Sequence, residues 1–167
     1  MDIRAKRLIV ERIRRALTRR LNVLGFTRGK TTFWVRPKND LVEFIHVHLF
    51  TFMPAFRVHA GIRVLNDSLQ GAALNGPSSG ECFPDGKRHY NLEYRDDGAS
   101  VASCVNEMFA FCVDVAEPWF ESLSTERLLS ETNSPLIERQ RLELAAALRG
   151  QADPRTLALS RKLLGVV

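Results

Sequence analysis

The chain has 167 residues, 45% of them hydrophobic and 26% charged, with a formal net charge of +5. That length allows one domain, residues 1–167, whose core needs neither disulfides nor a structural metal. No run approaches the roughly 18 uninterrupted apolar residues of a membrane helix, so a soluble protein with no membrane partner is expected.

The N-terminal stretch is basic but lacks the compact apolar run and small-residue cleavage site of a secretory signal, which makes a cytoplasmic location the expectation. Cys82, Cys104 and Cys112 form no Cys-x-x-Cys pair and cannot all pair within one chain, as suits buried thiols in a reducing compartment. The charge is uneven. Residues 1–20 carry eight basic side chains against two acidic ones, so an anionic partner would be drawn to this end.

In residues 1–24, Ile3, Ile9, Val10, Ile13, Ala16, Leu17, Leu21 and Leu24 fall on one arc at helical spacing, and arginines occupy the other. Arg4, Arg7, Arg12, Arg15 and Arg19 form a candidate anion-binding face, because guanidinium groups chelate planar anions. A solvated helix face is the plainer reading of the same pattern. Gly25 is placed to end the helix in the left-handed conformation.

Residues 25–95 read as an antiparallel sheet. The first strand is expected from Phe26 to Arg36, with Arg28-Gly29-Lys30 as a flexible basic lead-in. The second, Leu41 to Phe52, is apolar on both faces and interrupted only by Glu43, His46 and His48. In the third, Ala55 to Val64, Phe56, Val58, Ala60, Ile62 and Val64 alternate with Arg57, His59, Gly61 and Arg63. A fourth, at an edge, is expected from His89 to Tyr94.

Residues 66–88 are rich in Gly, Pro, Asn and Ser, and a connection that long inside a domain suggests a lid or a wandering insertion with a short helix near Ser68 to Leu74. Residues 98–167 read as helical. Pro118 should kink or divide the first helix, and the pairs Ser134-Pro135 and Asp153-Pro154 should start later ones. The expected fold class is α+β: an N-terminal helix, then an antiparallel sheet of about four strands covered on one face by C-terminal helices.

Such a sheet leaves its other face as a binding face, His46, His48, Arg57, His59 and Arg63. Three histidines on adjacent strands raise the possibility of a metal-dependent enzyme, but Glu43 has the opposite parity and supplies no carboxylate, so no metal and no cofactor are assigned. Trp34 and several phenylalanines near the basic groups make nucleic acid a second possibility, weakened because Phe33, Phe44, Phe50, Phe52 and Phe56 sit at parities that mostly serve the core. The sequence has no Gly-rich phosphate loop, no Gly-x-Ser-x-Gly and no His-Glu-x-x-His, and no catalytic residue is assigned.

From Leu24 to Arg36, through the apolar second strand and Val58-His-Ala-Gly-Ile, the chain resembles a bacterial family of unknown function. Its members begin with a helix, a Gly-Phe-basic stretch and an aromatic-rich first strand. That family often has a glutamine where His46 or His48 stands here. Some relatives look like immunity proteins beside toxins, which implies binding without catalysis. The expectation is therefore a non-enzymatic protein-binding module, monomer or homodimer, with a nucleic-acid-binding accessory role through the first helix as the alternative.

Overall fold

The structure, a computed structural model, describes residues 3–81 and 90–166. Helix α1 runs Ile3–Leu21 and tightens into a single 3-10 turn, Asn22–Leu24. Gly25, at φ 83°, closes it by donating its N–H to the Asn22 carbonyl, as the left-handed position after a helix favours in a residue without Cβ. The buried stripe of α1 is Ile9, Val10, Ile13, Leu17 and Leu21.

Four strands follow in the order β1-β2-β3-β4, all antiparallel: β1 Thr27–Lys30, β2 Phe33–Lys38, β3 Leu41–Leu49 and β4 Phe56–Val64. The single strand expected from Phe26 to Arg36 is a hairpin. Its first arm is the basic segment read as a flexible lead-in, with a register irregularity between Arg28 and Lys30. Gly29 is held there by close packing, since a Cβ on it would lie 2.3 Å from the Leu164 carbonyl oxygen. The β2–β3 turn places Asn39 at φ 47°, a conformation asparagine tolerates better than most residues.

Register then assigns the faces. Trp34, Ile45 and Ala60 lie in one row. This face packs on α1 and on α2, Gly98–Phe111, in one core that also takes in Leu128, Leu136 and Leu144. Trp34 is fully buried, and its indole N–H donates to the Thr18 hydroxyl at 2.9 Å. The indole therefore offers no stacking surface to nucleic acid. Arg36 clamps the sheet to the helices: it donates to Glu43 at 2.6 Å and to Glu117 at 2.9 Å, and lies 4.3 Å from the Phe26 ring centre.

Helix α2 is capped by Asp97, whose carboxylate accepts from the Ser100 N–H, and continues through a π-helical segment, Cys112–Ala116, into α3, Glu117–Glu121. Pro118 lacks the N–H that would bond four residues back, and the wider turn lies immediately before it. By length and composition alone, Gly98–Glu121 would pass for a membrane span. In this fold its Val101, Cys104, Val105, Met108 and Phe111 are buried in the core.

Three more helices complete the described chain: α4 Thr125–Leu129, α5 Glu138–Leu148 and α6 Pro154–Leu164. Asp153 caps α6 as its sequence signal suggests, and Ser124 caps α4 by accepting from the Arg127 N–H. Helix α5 starts later than Ser134-Pro135 implies. The Ser134 hydroxyl instead accepts from the Leu136 N–H and donates to the Leu128 carbonyl, forming a turn ahead of the helix.

The edge strand expected from His89 to Tyr94 does not form among the described residues. Leu92 and Tyr94 meet the start of β4 through two backbone hydrogen bonds, and Glu93 makes one isolated bridge with Ala55. His89 and Cys82 lie outside the described residues, as does the turn from Pro84 to Lys87. The β4 edge is covered by Asn75 to Ser79. The Asn75 amide bonds both backbone groups of Ile62, the Ala60 N–H donates to the Pro77 carbonyl, and the Ser79 N–H donates to the Val58 carbonyl. An edge paired in this way is no template for another strand.

Candidate functional site

The second sheet face carries every residue of the expected binding face, and register sets their neighbours. His46 pairs with His59 and with Phe33, His48 with Arg57, Phe44 with Gly61, and Val42 with Arg63. The histidines on β3 and β4 therefore do converge. Ring centres are 6.0 Å apart for His46 and His59, and 6.5 Å for His46 and His48. No carboxylate joins them: among the described residues no three His, Cys, Asp or Glu side chains are grouped so as to hold a metal ion. Glu43 faces the opposite side, bound to Arg36.

Arg63 is the exception to the expected face. It is 1% exposed. Its guanidinium donates to the Ser160 hydroxyl and to the carbonyls of Gly71, Asp67 and Leu69, all at 2.8 Å, with the buried Asp67 carboxylate 3.5 Å away. Asp67 in turn accepts from Gln140 at 2.8 Å and from the Leu69 N–H. Asn66 and Ser68 pin the same loop to Glu143, Asp153 and Thr156. The first part of the 66–88 segment is thus a bonded wall and neither a lid nor a helix. Val35, Val42, Phe44 and Leu164 pack beside it as a second core. Strict alternation is a sound guide to parity but says nothing about what later sequence folds over a face.

What stays accessible is the β3–β4 end. His48 is exposed, while His46, His59 and Arg57 are half-buried. A strip of rings runs from Phe33 through His46 and His48 to Phe50 and Phe52, with successive centres 4.6, 6.5, 5.2 and 5.3 Å apart. Arg57 lies 5.3 Å from the Phe50 ring centre and packs on the backbone of Gly80. Phe52 is 79% exposed. Phe50 and Phe52, counted with the core in the sequence, share the parity of His46 and His48 and continue their row past the end of β3 at Leu49. Among the described residues a groove of about 600 Å³ opens beside them, lined also by Tyr90, Glu93 and Glu107.

Burial, then the neighbouring His59 and His48, push the His46 pKa down from 6.5 to about 4, and its Nδ1 has no hydrogen-bond partner among the described residues. His59 is lowered too, by burial first and then by Arg57 and His48. A histidine whose folded pKa lies below its unfolded value binds its proton more readily in the unfolded chain. Its neutral form therefore contributes stability that is present above pH 6.5 and lost as the pH falls toward 4. Denaturant midpoints measured from pH 7 to pH 5 should decline, and His46→Gln should flatten that decline; an unchanged slope would refute the assignment.

Burial raises the thiols, Cys104 to about 12, and Cys112 upward as well. Neither is a thiolate at neutral pH, so neither is primed as a nucleophile.

On α1, Arg4, Arg7, Arg12, Arg15 and Arg19 are all exposed, as expected. Their one acidic neighbour on the helix, Glu11, is bound bidentately by Arg28 at 2.8 and 3.2 Å and touched by Arg15 at 3.4 Å. Compared with models of protein families, with curated proteins and with solved structures, the chain finds no significant match.

Proposed function

We propose that this chain is a non-enzymatic protein-binding module, of the immunity-like kind that its family resemblance implies, and that the partner meets the β3–β4 end of the sheet. The observation that carries this reading is Phe52, an exposed ring beside Arg57 and His48 at the rim of a groove. Exposed aromatic side chains next to arginine are the residues that most often dominate protein interfaces. A fold whose described histidines lack a carboxylate and whose described thiols are buried gives less support to catalysis.

A second reading, a nucleic-acid-binding accessory module, is favoured by the six exposed arginines of α1, Arg4, Arg7, Arg12, Arg15, Arg19 and Arg20. It is weaker because Trp34, the one indole beside the basic groups, is sealed in the core.

The test is co-expression with the products of the genes beside this one. A stable complex is expected, weakened at least about tenfold by Phe52→Ala with Arg57→Glu, as loss of an interface anchor implies. A complex indifferent to that pair, or none with any neighbouring product, would count against the reading.

A further inference from the structure

One side of α1 is formed by Ile3, Lys6, Arg7, Val10, Glu11 and Arg14. With Leu49 at the end of β3, these residues line a groove of about 450 Å³. It extends over eleven residue steps of helix, about 16 Å at 1.5 Å each. Its apolar lining is aliphatic: Ile3, 71% exposed, with Val10 and Leu49. The charge around it is unbalanced. Glu11 is committed to Arg28 and Arg15, which leaves Lys6, Arg7 and Arg14 with no acidic partner among the described ion pairs.

Arg14 is the half-buried cation of the groove. Its Nε is buried with no hydrogen-bond partner among the described residues, and so is the hydroxyl of Tyr94, which feels the Arg14 charge. Burial, then Arg28, pulls the Arg14 guanidinium below its ordinary value, with Glu11 and Tyr94 opposing. A half-buried cation without a counter-charge is costly, and a carboxylate against the accessible part of the Arg14 guanidinium would offset that cost through a charge-assisted bond.

We propose that this groove seats an acidic segment of the partner protein, with one bulky apolar side chain between Ile3, Val10 and Leu49 and carboxylates against Lys6, Arg7 and Arg14. This rests on the protein-binding reading and assigns it a second contact surface and a partner chemistry. Nucleic acid fits less well, because no aromatic ring lines the groove for a base to stack on.

Fluorescence anisotropy with three labelled probes tests it: a 12-residue peptide of aspartate and glutamate around a central Leu-Phe pair, the same peptide with lysine at every acidic position, and a 20-nucleotide oligothymidylate. The acidic peptide is expected to bind, more weakly as salt is raised, while the other two do not. Lys6→Glu with Arg7→Glu should weaken it at least about tenfold, whereas Phe52→Ala with Arg57→Glu should leave it unchanged. Circular dichroism melts establish that both variants fold.

Failure of the acidic peptide to bind, or binding untouched by the Lys6/Arg7 pair, overturns the proposal. If only the Phe52/Arg57 pair abolishes binding, the groove assignment falls and the protein-binding reading stands. If the oligonucleotide alone binds, both fall.

Discussion

Replacing Arg63 with methionine is expected to lower the free energy of unfolding by about 3–5 kcal/mol, the usual cost of breaking a buried ion pair by removing one partner. Methionine keeps much of the stem's volume, so the loss isolates the guanidinium. Without it, Asp67 keeps its Gln140 and Leu69 N–H bonds but loses the buried cation 3.5 Å away. The carbonyls of Gly71, Asp67 and Leu69 lose a donor together. Urea unfolding of Arg63→Met, Asp67→Asn and the double variant measures this. The double variant should lose less than the sum of the two singles, because the second change removes the charge that the first strands. A loss below about 1 kcal/mol for Arg63→Met, the worth of one ordinary hydrogen bond, would refute the network. Charge reversal at Arg63 would accordingly report on folding and not on partner contact.

Gly61→Val is expected to destabilise by at least the roughly 1–3 kcal/mol typical of overpacking, with Gly61→Ala at the lower end. Phe44 is the cross-strand partner of Gly61, and its ring lies over the glycine: an added Cβ would come within 2.3 Å of Cζ and 2.7 Å of Cε2. The ring cannot swing away freely, because Phe44 is fully buried and packs with Val35, Val42 and Leu164. For a chain of this size each kcal/mol lowers Tm by roughly 2–4 °C. Phe44→Leu placed in the Gly61→Ala background should recover part of the loss, since a smaller side chain leaves room for the methyl group. A Gly61→Ala protein that melts with the wild type would show that the ring is not confined there.

The sequence was most readable where a local rule and the tertiary fold agree. Helix α1 ends at Gly25 because the apolar arc stops there and only the left-handed turn continues the chain. The rows on β3 and β4 follow from strict alternation, which brought His46, His48, His59 and Arg57 to one face. Two features escaped. Thr31-Thr32 turns the first expected strand into a hairpin without glycine, proline or asparagine at the turn, so composition carried no sign of it. Arg63 has the same parity as His59, and its burial depends on Ser160, 97 residues away, and on a loop whose glycines read as mobility. The rings at Phe50 and Phe52 were misassigned for another reason: they share the parity of His46 and His48, so alternation itself carries them to the second face, and counting them with the core rested on their hydrophobicity.

The backbones of Gly29 and Gly165 touch so closely that a Cβ on either would meet the other strand's or turn's carbonyl region. That contact has a kinetic side. The sheet can zip up from neighbouring strands soon after Val64 is made, but its second apolar patch waits for Leu164, roughly a hundred residues downstream. Long-range closures of this kind come late and are paid in loop entropy before any packing is gained. During vectorial synthesis Val35, Val42 and Phe44 would remain uncovered, and Arg63 would lack Ser160, until α6 arrives. The interval between those two events is when this chain is most open to aggregation.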